Sequence, residues 1–222
     1  MSQGKLGPNW DEYLATLRED AHLLLAWGYS DTRGELPNAR DEYDITDLLA
    51  DAMEQRINDP LTPERFTLYS VYNERPVSPA GQRGKERPKL DIQIQRNGVR
   101  PKPYYTIEAK RLCDDSKSSA SDSLAHYLGD EGIGRFVAGV YDPEAAEAAM
   151  LGCIQAHDAK FWLELFARAF AEDVRSGRNR LRIIAQFRRS QIIAEIPDEA
   201  SSAHRRDNGS AIRLLHIVLC CT

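Results

Sequence analysis

The chain has 222 residues, 42% hydrophobic and 28% charged, with a formal net charge of −5 at pH 7. That is enough apolar material for a sizeable core, and the acidic balance excludes a protein that coats nucleic acid by bulk charge. It does not exclude an enzyme that meets nucleic acid through a local site. The cysteines Cys113, Cys153, Cys220 and Cys221 contain no Cys-x-x-Cys pair, which argues against a zinc knuckle or a dithiol motif and for a reducing compartment. The opening MSQGKLGPNWDEY has no basic-then-apolar leader, and no apolar run is long enough to span a bilayer. The expected location is the cytoplasm.

Residues 1–9 read as a polar leader. Residues 10–28 place Trp10, Tyr13, Leu14, Leu17, Ala21, Leu24 and Leu25 at helical spacing. A loop is expected over 29–39. A second helix is expected over 41–58, with Ile45, Leu48, Leu49, Ala52, Met53 and Ile57 on its apolar face. Asp41, Glu42, Asp44 and Asp47 in its first turns suit the positive end of the helix dipole. Residues 66–74 alternate and are rich in aromatic and β-branched types, so a strand is expected there. A basic Pro/Gly loop follows over 75–88. Two further strands, 89–95 and 104–112, flank a turn containing Asn97-Gly98, a hairpin signal.

The polar stretch 114–123 reads as a mobile loop, and 124–137 as a helix that breaks at Gly132 and Gly134. A short helix and then a buried strand are expected over 144–157. The spacing of Phe161, Trp162, Leu165, Phe166 and Phe170 predicts an amphipathic helix over 158–175. Strands around 181–187 and 211–220 close the chain, joined by a polar loop over 197–210 that carries His204, Arg205 and Arg206. The expected architecture is a single α/β domain over 1–222, a central mixed sheet flanked by helices.

The chemistry-bearing residues fall on the expected hairpin. Glu108 and Lys110 are two apart on one strand and point to the same face. A hairpin centred on Asn97-Gly98 brings Asp91 beside Glu108. Converging carboxylates repel each other, and a divalent cation relieves that repulsion. Oxygen donors without His or Cys suit Mg²⁺ or Mn²⁺, with the Ala109 carbonyl as a further ligand. Such a site hydrolyses phosphodiesters, with Lys110 beside the attacking water or the developing charge.

The pattern Asp91…Glu108-Ala109-Lys110 resembles the Asp…Glu-x-Lys core of the PD-(D/E)xK nuclease superfamily. The resemblance covers about residues 40–157 and implies a restriction-endonuclease-like fold. The family's usual proline directly before the Asp is displaced here, where the chain reads Pro88-Lys89-Leu90-Asp91. The resemblance also implies a further acid from the helix before the sheet. Glu42 is the choice for that metal ligand, with Asp44 and Asp47 as rivals. It implies a Mg²⁺- or Mn²⁺-dependent nuclease acting on nucleic acid, DNA by preference, in restriction, repair or anti-phage defence. A homodimer or a partner ATPase or helicase subunit would complete it.

Plainer readings stand beside these. Glu108 and Lys110 also fit a solvent-facing pair on an edge strand, and the acids of the second helix also fit ordinary N-terminal charges. The whole chain also fits an idle nuclease fold serving as a protein–protein module. Arg135, after the Gly132-Ile133-Gly134 turn, and Lys102 are candidate substrate-binding residues. With Arg83, Lys85, Arg87 and Arg100 they follow a nucleic-acid backbone or are simply solvated. Tyr141 and His216 read as core residues. His126 and His157 have no evident partner. Without a nucleophile elbow, covalent hydrolase chemistry has no support.

Overall fold

A computed structural model of the chain describes residues 10–36, 41–77 and 87–222. The expected leader 1–9 and the loop residues Arg83 and Lys85 lie outside the described residues. Helix α1, Trp10–Thr32, buries Leu17, Ala21, Leu24 and Leu25 at helical spacing. It runs four residues past its expected end because nothing in Tyr29–Thr32 breaks it, and Thr32 bonds back to the Gly28 carbonyl. Helix α2, Glu42–Asn58, starts where Asp41 caps it by accepting from the Asp44 N–H at 2.9 Å. Pro60 and Pro63 follow it, and a 3₁₀ turn over Glu64–Leu68 precedes strand β1, Tyr69–Pro76. The strand expected from residue 66 therefore starts three residues later. Pro63 fixes the turn, and Phe66 is buried against Trp27.

Strands β2, Lys89–Arg96, and β3, Tyr104–Leu112, form an antiparallel meander with β1. Beyond β3 lie two short helices, α3 over Ala120–Leu128 and α4 over Ile133–Val137. The stretch 114–123, expected as a loop, turns through its polar residues and ends in the first four residues of α3. Asp115 accepts from the Lys117 and Ser118 N–H groups, and Ser119 with Asp122 forms a capping box that starts α3. Gly132 is required at the break between the helices, since a Cβ there would lie 2.1 Å from the Tyr127 carbonyl oxygen.

Strand β4, Glu147–Ile154, comes directly from a turn, so the short helix expected before it is absent among the described residues. Helix α5, Ala159–Arg175, is capped by Asp158. Strands β5, Ile183–Ser190, β6, Glu199–Arg205, and β7, Ala211–Cys220, complete the chain. Half of the polar loop expected over 197–210 is thus a strand.

The seven strands form one mixed sheet in the order β1-β2-β3-β4-β7-β6-β5. Strands β3, β4 and β7 are parallel at its centre, and the outer pairings are antiparallel. One apolar layer joins α1 and α2 to Ile107, Ala109, Leu151 and Ile217. The other joins α3, α4 and α5 to Leu112, Met150, Leu214 and Val218. The architecture is therefore α/β, a mixed sheet flanked by helices on both faces.

Candidate active site

The ladder between β2 and β3 ends at the Ile92–Ile107 pair, and the two strands then part. Past that point the edge of β3 offers backbone donors with no strand beside them, and such groups must find partners when buried. Two carboxylates supply them. Asp91 Oδ2 accepts from the Ala109 N–H at 2.7 Å, and Glu42 Oε2 accepts from the Arg111 N–H at 3.2 Å. The acceptor between those donors, the Ala109 carbonyl, takes a hydrogen bond from Lys110 Nζ at 2.6 Å. Lys110 Nζ also lies 2.9 Å from Glu108 Oε1 and 2.9 Å from Glu42 Oε1. The first turn of α2 and the parted ends of β2 and β3 thus meet in one corner.

The site is electrostatically crowded. The Glu108 side chain is only 3% exposed and that of Lys110 10%. Burial pushes the Asp91 carboxyl up to about 6, against the opposing pull of Lys110 and the Ala109 N–H. Burial raises Glu108 well above the usual carboxylate range, and the Asp91 charge adds to it. Burial works against the Lys110 ammonium, but Glu108, Glu42 and Asp91 outweigh it and hold its pKa above the ordinary lysine value. Lys110 stays charged, and three carboxyls share that single ammonium. Glu108 Oε2 is buried and has no hydrogen-bond partner. A proton or a second cation at that oxygen would satisfy it.

The sequence-derived residues fall into two groups. Asp91, Glu108, Ala109, Lys110 and Glu42 come together. Of the rivals of Glu42, Asp47 accepts from Asn73 instead, and Asp44 is exposed. Among the described residues, no three acidic, histidine or cysteine side chains close around one point. The ammonium of Lys110 stands between Glu42 and Glu108 instead. Arg135 lies near the corner but indirectly. Its guanidinium sits 5.3 Å from the centre of the Tyr141 ring, and Tyr141 feels the charges of Glu108 and Asp91. Lys102 is at the turn end of the hairpin, bonded to Asn97 at 3.1 Å, away from the end that holds Asp91.

The corner opens into a cavity of about 590 Å³ whose wall includes Glu42, Lys110, Arg111, Cys113, Lys117 and His126. The sequence reading did not find that wall. Nothing in the spacing of Lys117 and His126 shows that the Asp115 turn folds them toward the end of β3. His157, for which no partner was evident, pairs with Asp114 at 2.6 Å. His216 is a core residue in a buried polar chain.

Comparison with protein-family models, with curated proteins and with solved structures finds no match to this chain.

Proposed function

We propose that the chain is a divalent-cation-dependent nuclease that hydrolyses phosphodiester bonds, DNA by preference. The observation that carries the reading is the convergence of Asp91, Glu108 and Glu42 with Lys110 on the free edge of β3, including a buried Glu108 oxygen without a donor. The donor set fits a hard cation: Asp91, Glu108 and the Ala109 carbonyl, joined by Glu42, are all oxygen ligands. When bound, Mg²⁺ or Mn²⁺ supplies charge neutralisation at the phosphate and water activation.

The chain's own groups do the rest. Lys110 exchanges its carboxylate partners for the phosphate, where its fixed charge favours the developing negative charge. Asp91 holds the Glu108–Ala109 peptide plane through the 2.7 Å hydrogen bond from the Ala109 N–H, and so steadies the backbone on which Glu108 stands. Arg111 and Lys117 on the cavity wall offer positive charge to a nucleic-acid backbone entering there.

The setting we propose rests on the resemblance of Asp91…Glu108-Ala109-Lys110 to the PD-(D/E)xK pattern and on that analogy alone. It is cytoplasmic defence against foreign DNA, together with a second copy of the chain or an ATPase or helicase partner. A second reading, an idle module that binds other proteins, is favoured by one observation: Lys110 already pairs with Glu42 and Glu108.

The test is incubation of the purified protein with linear and circular DNA and with RNA, in Mg²⁺ or Mn²⁺ and in chelator. The nuclease reading expects metal-dependent cleavage that falls about 10²–10⁴-fold in Lys110→Ala. Intact substrates under every condition, with a folded protein, favour the idle module.

A further inference from the structure

Residues 175–222 carry nine arginines and four acidic residues, in a chain whose overall charge is negative. Between Arg175 and Glu195 no acid occurs at all, while Arg178, Arg180, Arg182, Arg188 and Arg189 follow one another. These five are exposed and lie on or just before β5, the strand at the sheet edge farthest from β1. Some of the surrounding arginines are paired: Arg175 with Glu172, Arg182 with Asp207 at 2.7 Å, and Arg189 with Asp198 at 3.5 Å. Among the described residues, Arg178, Arg180, Arg188 and the neighbouring exposed Arg205 have no acidic partner.

Charge on an edge strand also guards against pairing with another chain. Acids serve that purpose as well as arginines, and an acidic chain would be expected to supply them. Arginines before the strand and near its end, with no acid between them, instead create a local positive field for a polyanion. The dimensions suit a nucleic-acid backbone. An eight-residue strand spans about 26 Å, which corresponds to about eight base pairs along a duplex axis. Strand β5 runs in the same direction as β7, so Arg188 lies toward the end of the sheet to which β3 delivers Lys110. Four strand spacings, about 19 Å, separate β5 from β3.

We propose that the β5 edge is a docking surface for the phosphate backbone of nucleic acid, separate from the candidate active site. It holds a long substrate by its charge and leaves the chemistry to the β2–β3 corner. Binding at β5 needs no metal and no cleavage.

The test is binding of a labelled duplex of about 30 base pairs, long enough to cover both regions, by fluorescence anisotropy in chelator across a salt series. The triple variant Arg178→Gln, Arg180→Gln, Arg188→Gln is compared with the unchanged chain, and a triple Arg→Lys variant controls for charge. Loss of three phosphate contacts lowers the slope of log affinity against log salt by about 2.7. The unchanged chain should therefore lose about 40-fold more affinity than the Gln variant between 50 and 200 mM salt. The Lys variant should keep the original slope. An unchanged slope in a folded Gln variant overturns the proposal. So does polyglutamate binding tighter than the duplex, which would mark an acidic protein as the partner. A chain that binds in this way but never cuts overturns the nuclease reading and leaves the docking surface standing. A chain that cuts, and whose Gln variant binds unchanged, does the reverse.

Discussion

At the scale of single residues, Lys110 decides how the candidate site behaves. Its ammonium bonds to Glu108, Glu42 and the Ala109 carbonyl, the same oxygens that a cation would use. Cation and ammonium therefore compete, and removing the ammonium should help the cation. Lys110→Met is expected to bind Mn²⁺ more tightly than the unchanged chain in isothermal titration while losing cleavage. Weaker Mn²⁺ binding in that variant would show that these oxygens are not the ligands. A second residue-scale prediction concerns the buried chain Tyr127–His216–Ser202–His204–Leu181. Its contacts are 3.1, 2.7, 2.7 and 2.5 Å. One assignment of protons satisfies every contact. Tyr127 donates to His216 Nδ1, His216 Nε2 donates to Ser202, Ser202 donates to His204 Nε2, and His204 Nδ1 donates to the Leu181 carbonyl. Both rings are then neutral, in keeping with burial lowering the pKa of His204 and, further, of His216. In the unfolded chain both titrate near about 6.5. The stabilisation is thus full above that pH and is lost as pH falls from there through the lowered folded values. The histidines lower the urea midpoint as pH falls from about 7 to about 5, while the raised carboxyls of Asp91 and Glu108 act in the opposite sense, so the histidine part is read from the difference: the midpoint of His216→Phe should fall less, or rise more, than that of the unchanged chain over that range. An equally steep slope in the variant would exclude His216 as a source.

At the scale of elements, the loop from α4 to β4 is held by a side chain from far along the sequence. Arg206 is 1% exposed and donates to the carbonyls of Phe136, Asp142 and Ala145. It ties the end of β6 to the loop that carries Tyr141, which lies within reach of the Glu108 charge. Arg206→Ala leaves three carbonyl groups without that donor, which costs roughly 3 kcal/mol or more in chemical denaturation. A loss below about 1 kcal/mol would mean that water replaces the guanidinium. Arg206 and β6 also show where the sequence stops being legible. Strands β2, β3 and β7 and helices α2 and α5 are readable because their apolar residues recur at the period of the element. In β6 the sheet-facing positions are Ser202 and His204 rather than aliphatic, so no period of two in hydrophobicity marks the strand. Their burial becomes favourable only once His216 and Tyr127 arrive from elsewhere in the chain. The two strands that carry Asp91 and Glu108 were readable from their alternation, but their register was not: Gln95 pairs with Tyr104 and Ile92 with Ile107, which centres the connection on Val99-Arg100 and not on Asn97-Gly98, and only that two-residue shift brings Asp91 level with Glu108. The choice of Glu42 over Asp44 and Asp47 needed the Arg111 N–H to be placed.

At the scale of the whole molecule, the site depends on parts of the chain that carry no motif. Strand β4 has β3 on one side and β7 on the other, so the C-terminal strand is in the middle of the sheet. Helix α1 supplies Leu17, Ala21, Leu24 and Leu25 to the layer that also buries Ile107 and Ala109 from β3. Helix α5 supplies Trp162, Phe166 and Phe170 to the opposite layer, against Met150 and Leu214. Residues 40–157 hold every residue of the candidate site yet lack α1, α5, β5, β6 and β7. Such a fragment would keep α2, α3 and α4 but strip α1 from one apolar layer and α5 from the other, and leave one edge of β4 unpaired. The fragment 40–157 is expected to show no cooperative thermal transition and poor amide dispersion by NMR. The full chain should melt in one step. A fragment that melts cooperatively would mean that the motif-bearing residues form their own core, and that α1 and β7 belong to a separable unit. The one-step melt carries a further consequence for the site. Because β3 pairs with β4, and β7 holds β4 on its other side, opening of the Lys110 corner should track global unfolding and not local fraying. Hydrogen exchange at the Ala109 amide, which Asp91 accepts at 2.7 Å, should then proceed with the free energy of the whole molecule. Exchange at Ala109 much faster than at Leu151 would show that the corner opens by itself.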